Sequence, residues 1–160
     1  MKLKSVPLLL VLLIVALWLQ VELNWVGMFT ADGCEGNLCC SDCSQIGVTR
    51  IIDGDTFVSP SGTIRLFGVD TPEYGEPCFV EATARLRQLS GSSVKVEKGP
   101  RGKDRYGRLL FYTYTQTGES IDEILIRDGL GLAWTRDGQH LKTLMEIEQR
   151  ARESGVGCLW

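Results

Sequence analysis

The chain has 160 residues, 44% of them hydrophobic, which suits one globular domain with an appendage. A net charge of −3 gives no global attraction to nucleic acid, and from Ser44 onward fifteen basic residues stand against sixteen acidic ones, so any anion binding has to be local. The single histidine, His140, excludes a two-histidine acid–base nuclease and any site that needs several imidazole ligands.

In chain order, Lys2 and Lys4 precede a fourteen-residue apolar run from Val6 to Leu19. That length suits the core of a signal peptide and is short of the roughly 20 residues of a membrane span. Extending the run to Val26 takes in Gln20, Glu22 and Asn24. The absence of a small-x-small cleavage site favours a retained anchor, and a cleaved signal is the alternative. Residues 1–26 are therefore read as an N-terminal hydrophobic helix, signal peptide or membrane anchor. Either form places the rest outside the cytoplasm, membrane-anchored on the outer face or secreted. Residues 27–45 read as a Cys-rich linker and residues 46–160 as the domain.

Six cysteines, Cys34, Cys39, Cys40, Cys43, Cys78 and Cys158, suit disulfides in an exported chain. Adjacent Cys39 and Cys40 make poor zinc geometry. Fifteen pairings are possible for six cysteines. Cys78 precedes the first helix of the domain and Cys158 follows the last, so these two are expected to pair, with the clustered four pairing among themselves.

Val48 to Ile52 predicts a short strand. Thr56 to Ser59 and Thr63 to Val69 flank the turn Ser59-Pro60-Ser61-Gly62 and predict a hairpin. Phe79, Ala82, Leu86 and Leu89 recur at helical spacing, with Gly91 as the stop. Val94 to Glu97 and Leu109 to Thr115 predict two more strands joined by a Gly-rich loop. From Lys98 to Arg108 that loop holds five basic residues and one acid, Asp104. Ser120 and Glu123 form a capping box for a helix ending at Gly129. Leu141, Leu144, Ile147 and Ala151 line a last helix, with Asp137 as its expected cap and His140 capping or packing there. Three strands, a helix, two strands and two helices make an α+β chain. A helix between the third and fourth strands of five is how an OB-fold barrel is strung.

Three islands carry the chemistry: Asp53-Gly54-Asp55-Thr56, Arg65 to Glu73, and Arg105-Tyr106-Gly107-Arg108. Each alone is an ordinary turn or loop. Together they gather carboxylates and arginines, a set suited to metal-assisted attack on a phosphodiester: carboxylates hold a hard cation, an acid activates water, and arginines neutralise developing charge.

In these motifs and in this strand order, the region from about Ile46 to Trp160 resembles the staphylococcal nuclease (thermonuclease) family. The resemblance implies a five-stranded OB-fold β-barrel with three α-helices. It implies Ca2+ held by Asp55, Asp70 and the carbonyl of Thr71, with Asp53 steadying the metal waters. Glu73 would activate or orient the attacking water, and Arg65 and Arg108 would clamp the scissile phosphate. Tyr106 would contact a neighbouring phosphate, with Arg105 where the family often has lysine. Trp134 is the candidate base-stacking aromatic, as stacking is sequence-tolerant. The segment Tyr74 to Phe79 is shorter than the corresponding loop of the best-known members. The implied activity is calcium-dependent endonuclease hydrolysis of DNA and RNA by a monomer, leaving 3′-phosphate ends. A non-catalytic OB-fold binding module at the cell surface is the alternative; it has no need for Asp55, Arg65, Asp70, Glu73 and Arg108 all to be present.

Overall fold

The structure is a computed structural model and describes residues 34–160. The expected N-terminal helix and anchor lie outside the described residues. Among the described residues no helix is long and apolar enough to cross a membrane.

Eight strands and three helices follow in order: β1 (Ser44–Gly47), β2 (Arg50–Ile51), β3 (Thr56–Ser59), β4 (Gly62–Leu66), β5 (Val69–Asp70), α1 (Phe79–Ser90), β6 (Ser93–Lys103), β7 (Leu109–Tyr114), α2 (Ile121–Arg127), β8 (Leu132–Ala133) and α3 (Leu141–Glu153). Six strands form one mixed sheet in the order β1-β6-β7-β4-β3-β2, and β5 pairs with β8 in a separate ladder. The β4–β7 pair is parallel and every other pair is antiparallel. The expectation of five strands is corrected to eight.

Three features account for the difference, one of them β8, a two-residue strand that pairs with β5. Ser44 to Gly47 is too polar to read as a strand, yet it pairs in register with Val96 to Ser93. The single run expected from Thr63 to Val69 breaks at Phe67-Gly68. A Cβ on Gly68 would lie 2.5 Å from Leu144 Cδ1 and 3.0 Å from Asp122 Oδ1, so only glycine lets the chain turn there against the helices. The Gly68 N–H donates to Asp122 Oδ1 at 2.7 Å, and Asp122 Oδ2 accepts from Thr113 N at 3.0 Å. This buried carboxylate ties the bend to β7.

The core lies between the sheet and the helices, around Phe57, Ile64, Leu66, Leu86, Tyr112 and Leu125. Helix α1 buries Ala82 and Leu86 at the expected spacing, and Gly91 ends it with φ 51°. In α2, Ser120 Oγ accepts from Glu123 N at 3.1 Å, as a cap should. The Glu123 side chain does not complete the expected box. It turns to Asn37 N at 3.0 Å and Leu38 N at 2.8 Å, and Leu38 is itself a core residue. Residues 34–45, expected within a linker, thus belong to the same compact unit as the rest.

Asp137 does not cap α3. His140 occupies that position without a side-chain cap bond, and Asp137 instead binds Arg101 and Trp134. The His140 ring packs edge-on against Tyr112 and bonds Glu97 at 2.9 Å. Cys78 and Cys158 are joined, with Cα atoms 5.8 Å apart; Cys34–Cys39 and Cys40–Cys43 are the other two disulfides.

Candidate active site

Arg65 stands near the end of β4 with its side chain almost fully buried, at 10% exposure. Its Nη1 donates to the carbonyls of Leu66 at 2.8 Å and Val69 at 3.1 Å. Its Nη2 meets Asp55 Oδ2 at 3.1 Å and also bonds Asp70 Oδ1. Two carboxylates from different strand ends therefore converge on one positive centre. Of the five N–H groups of the guanidinium, only that on Nε has no such partner.

Asp55 enters from the turn between β2 and β3. Its backbone N–H donates to Asp53 Oδ1 at 3.0 Å, which places Asp53 behind it. Thr56 Oγ1 donates to Asp55 Oδ1 at 2.8 Å, and Thr71 N lies 3.3 Å from Oδ2. Burial pushes the Asp55 carboxyl up to about 6; Arg65 pulls the other way and Asp53 adds to the rise. Gly54 makes the turn possible by close approach. A Cβ there would sit 2.6 Å from Thr71 Oγ1 and 2.7 Å from Ala82 Cβ.

An open cleft of about 410 Å³ lies beside this acidic pair. It brings together Arg65, Asp70, Glu73, Arg105, Tyr106, Arg108 and Trp134 from the expected set. Asp53, Asp55 and Thr71 are not on its wall; Asp55 pairs with Arg65, and Asp53 and Thr71 bond Asp55. Arg101, Asp104 and Arg136 also line the cleft, and sequence reasoning had assigned them no role.

Arg108 is aimed by Asp104. Its Nε donates to Asp104 Oδ2 at 2.6 Å and its Nη1 to Thr56 Oγ1 at 3.3 Å, leaving three N–H groups of the fork. Asp104 Oδ1 also accepts the backbone N–H of Tyr106 at 2.9 Å and of Arg108 at 3.0 Å, which builds the turn. Burial raises the Asp104 carboxyl, but these hydrogen bonds and the Arg108 charge outweigh it and hold it below the usual range. The available signal was a lone acid in a basic run, four residues before the arginine.

Glu73 is exposed at the cleft edge, on a short pinned loop. Its backbone N–H donates to Glu76 Oε2 at 2.8 Å, Glu76 N donates back to Glu73 O at 2.9 Å, and Cys78 anchors the far end through its disulfide. Tyr106 is 68% exposed, with the Arg105 guanidinium 4.7 Å from its ring centre. Trp134 is half-buried. Its Nε1 donates to Asp137 Oδ1 at 2.8 Å, and its ring lies under both Arg65 at 5.3 Å and Arg136 at 5.0 Å.

Among the described residues no group of three or more His, Cys, Asp or Glu side chains is placed to hold a metal. The protein can offer two carboxylates, Asp55 and Asp70, with backbone carbonyl oxygen and water to complete a shell. All are hard oxygen donors, and the two carboxylates already converge on one cationic nitrogen. That donor set fits a calcium-type ion and not a soft or imidazole-seeking metal.

Fold and cleft together define a small α+β domain with an arginine-lined cleft beside a paired-carboxylate site. The family profile described as Staphylococcal nuclease homologue matches residues 63–160, and the chain belongs to that family. It is 36% identical to the SPbeta prophage-derived endonuclease YokF of Bacillus subtilis (strain 168) over 132 residues, 72% of this chain and 44% of that protein. It is 36% identical to Endonuclease YncB of the same organism over 99 residues, 54% of this chain and 46% of that protein. With a Thermonuclease of Staphylococcus intermedius it shares 33% identity over 125 residues, covering 71% of this chain and 74% of that one. The chain thus spans less than half the length of the two Bacillus proteins. The profile match begins at Thr63, the second residue of β4, and runs to the last residue, while Asp53 and Asp55 lie before its start.

Proposed function

We propose that this chain is an exported, calcium-dependent endonuclease that hydrolyses phosphodiester bonds of DNA and RNA and leaves 3′-phosphate ends. The observation that carries the reading is the meeting of Asp55 and Asp70 at Arg65 Nη2, directly beside a cleft that also presents Glu73 and an aimed Arg108. The family membership supports it, as do the relatives named endonuclease and thermonuclease. Three disulfides that use all six cysteines support export, together with the charged and apolar N-terminal sequence.

Asp55, Asp70 and the carbonyl of Thr71 would hold the ion. When bound, calcium supplies charge neutralisation and polarisation of the phosphate. Arg108 donates its three remaining N–H groups to phosphate oxygens as negative charge builds on them, and Arg65 adds its Nε–H. Glu73, exposed at the cleft edge, takes the proton of the attacking water. Attack at phosphorus breaks the bond to the 5′-oxygen, which leaves with a proton taken from solvent water at the open cleft, and the phosphate stays on the 3′ side. Arg105 and Tyr106 hold the chain of the substrate next to the cut.

The test is cleavage of labelled DNA and RNA by the wild type, Glu73→Gln and Arg108→Ala with calcium present. Wild type should cut both polymers, Glu73→Gln should bind with little turnover, and Arg108→Ala should lose about 10²-fold or more in kcat. Binding without cleavage by the wild type would favour the pure binding module.

A further inference from the structure

Five arginines line the cleft: Arg65, Arg101, Arg105, Arg108 and Arg136. Three are occupied by carboxylates: Arg65 by Asp55 and Asp70, Arg101 by Asp137, and Arg108 by Asp104. No ion pair among the described residues involves Arg105 or Arg136. These two stand on different loops, Arg105 between β6 and β7 and Arg136 between β8 and α3. Each lies over an aromatic ring, Arg105 over Tyr106 and Arg136 over Trp134.

The Trp134 ring is itself fixed. Its Nε1 is bonded to Asp137, Asp137 is bonded to Arg101 at 2.9 Å, and Arg65 lies 5.3 Å from the ring centre. Arg136 is therefore not a loose surface side chain. Its guanidinium rests on a ring that also contacts the arginine between the two carboxylates. A stacked guanidinium keeps its N–H edge available and loses little rotamer freedom when it binds an anion.

We propose that Arg136, stacked on Trp134, is a second phosphate subsite, which takes a phosphate of the substrate other than the scissile one, on a different loop of the cleft from Arg105 and Tyr106. The inference rests on the reading of the cleft as a nucleic-acid site. It makes the preferred substrate an oligonucleotide that reaches both loops, and it gives Trp134 the work of holding Arg136 and Arg65 in place.

The size of the effect follows from counterion release. Each phosphate neutralised on a single strand contributes about 0.7 to the slope of log affinity against log salt. Losing one such contact should weaken binding about eightfold at 0.05 M salt and about fourfold at 0.15 M. A mere change in net charge acts without regard to position, so Arg127, exposed on α2 and outside the cleft, is the control.

The experiment is a fluorescence-anisotropy titration of a labelled single-stranded DNA decamer against the full-length chain in a Glu73→Gln background, with calcium, over a range of salt. Adding Arg136→Ala should make the slope shallower by about 0.7, and adding Arg127→Ala should leave it as in the parent. An unchanged slope for Arg136→Ala, an equal fall for Arg127→Ala, or no measurable binding by the parent overturns the proposal. Cleavage by the wild type is assayed separately. If wild type cuts nothing while Arg136→Ala still changes the slope, the catalytic reading falls and the subsite stands; if wild type cuts and the slope is unchanged, the subsite falls alone.

Discussion

Asp104→Asn separates the aiming of Arg108 from the building of its loop. Asp104 Oδ1 accepts the backbone N–H groups of Tyr106 and Arg108, and an asparagine oxygen can keep both. Oδ2 accepts Arg108 Nε at 2.6 Å, and the asparagine NH2 would meet that N–H donor to donor. The change therefore removes one charge-assisted hydrogen bond from an otherwise intact turn. Such bonds contribute about 1.5–3 kcal/mol net. The Arg108 side chain is 28% exposed and that of Asp104 13%, so the lower part of the range, about 1.5–2 kcal/mol, applies. At about 1.36 kcal/mol per factor of ten, kcat should fall about 10- to 30-fold. This must remain smaller than the roughly 10²–10³-fold cost of deleting a transition-state donor outright. Because Asp104 takes only one of the five N–H groups, it should aim the fork without competing for phosphate. Steady-state cleavage with calcium should thus show kcat reduced and KM little changed. Asp104→Asn should lower Tm modestly, and Asp104→Ala, which also loses the turn acceptors, should lower it further. A kcat for Asp104→Asn equal to wild type, or above it, refutes the reasoning; an increase would mean that Asp104 competes with the substrate.

Gly54→Ala should push a methyl group against Thr71 and Ala82, where a Cβ would come within 2.6 Å and 2.7 Å of their atoms. Calorimetric titration should then show weaker calcium binding, with a stability loss of about 1–3 kcal/mol; wild-type affinity would count against the assigned ion site. Asp122 is fully buried, and burial raises its carboxyl from 3.8 to about 6 despite its three hydrogen bonds. The unfolded chain releases this proton first as pH rises, so the contribution of Asp122 to stability is full below about pH 4 and falls until pH passes about 6. At about 1.36 kcal/mol per pH unit the loss is about 3 kcal/mol, and Asp122→Asn should lack it. Urea unfolding of both proteins at pH 4 and pH 7 checks this, and parallel behaviour contradicts it. Replacing Cys78 and Cys158 together by serine opens a loop with a sequence separation of 80, which costs about 4–5 kcal/mol in the chain-entropy account. Thermal melts should show a large fall in Tm, and an unchanged Tm would mean that the link does not constrain the unfolded chain.

Much of the helical half of the fold was legible because its signals are local. Apolar residues at helical spacing found α1 and α3, and Ser120 announced the start of α2. The sheet was less legible for an equally physical reason. β2 falls within the strand expected from Val48 to Ile52, but β1, β5 and β8 are two to four residues long with partners distant in sequence, so no local pattern reveals them. The expected third strand breaks at Gly68, where a Cβ would collide with Leu144 and Asp122, both remote along the chain. In the site, Arg65, Asp70, Glu73, Arg105, Tyr106 and Arg108 stand in the motifs and share one cleft with Trp134, a candidate from the resemblance and not from a motif. Asp104, Arg101 and Arg136 were not found, because their value depends on which carboxylates are already paired. Asp137 and Glu123 were assigned local capping roles, yet tertiary partners claim both carboxylates.

The most direct measurement is cleavage of DNA by the purified full-length wild type, first with calcium, then with excess chelator, then with calcium restored, alongside Asp55→Ala and Asp70→Ala. The account predicts cutting that stops with chelator, returns with calcium, and is shifted to higher calcium concentration in both variants. Cutting that continues in excess chelator, or variants that respond to calcium as the wild type does, would contradict an ion held by Asp55 and Asp70.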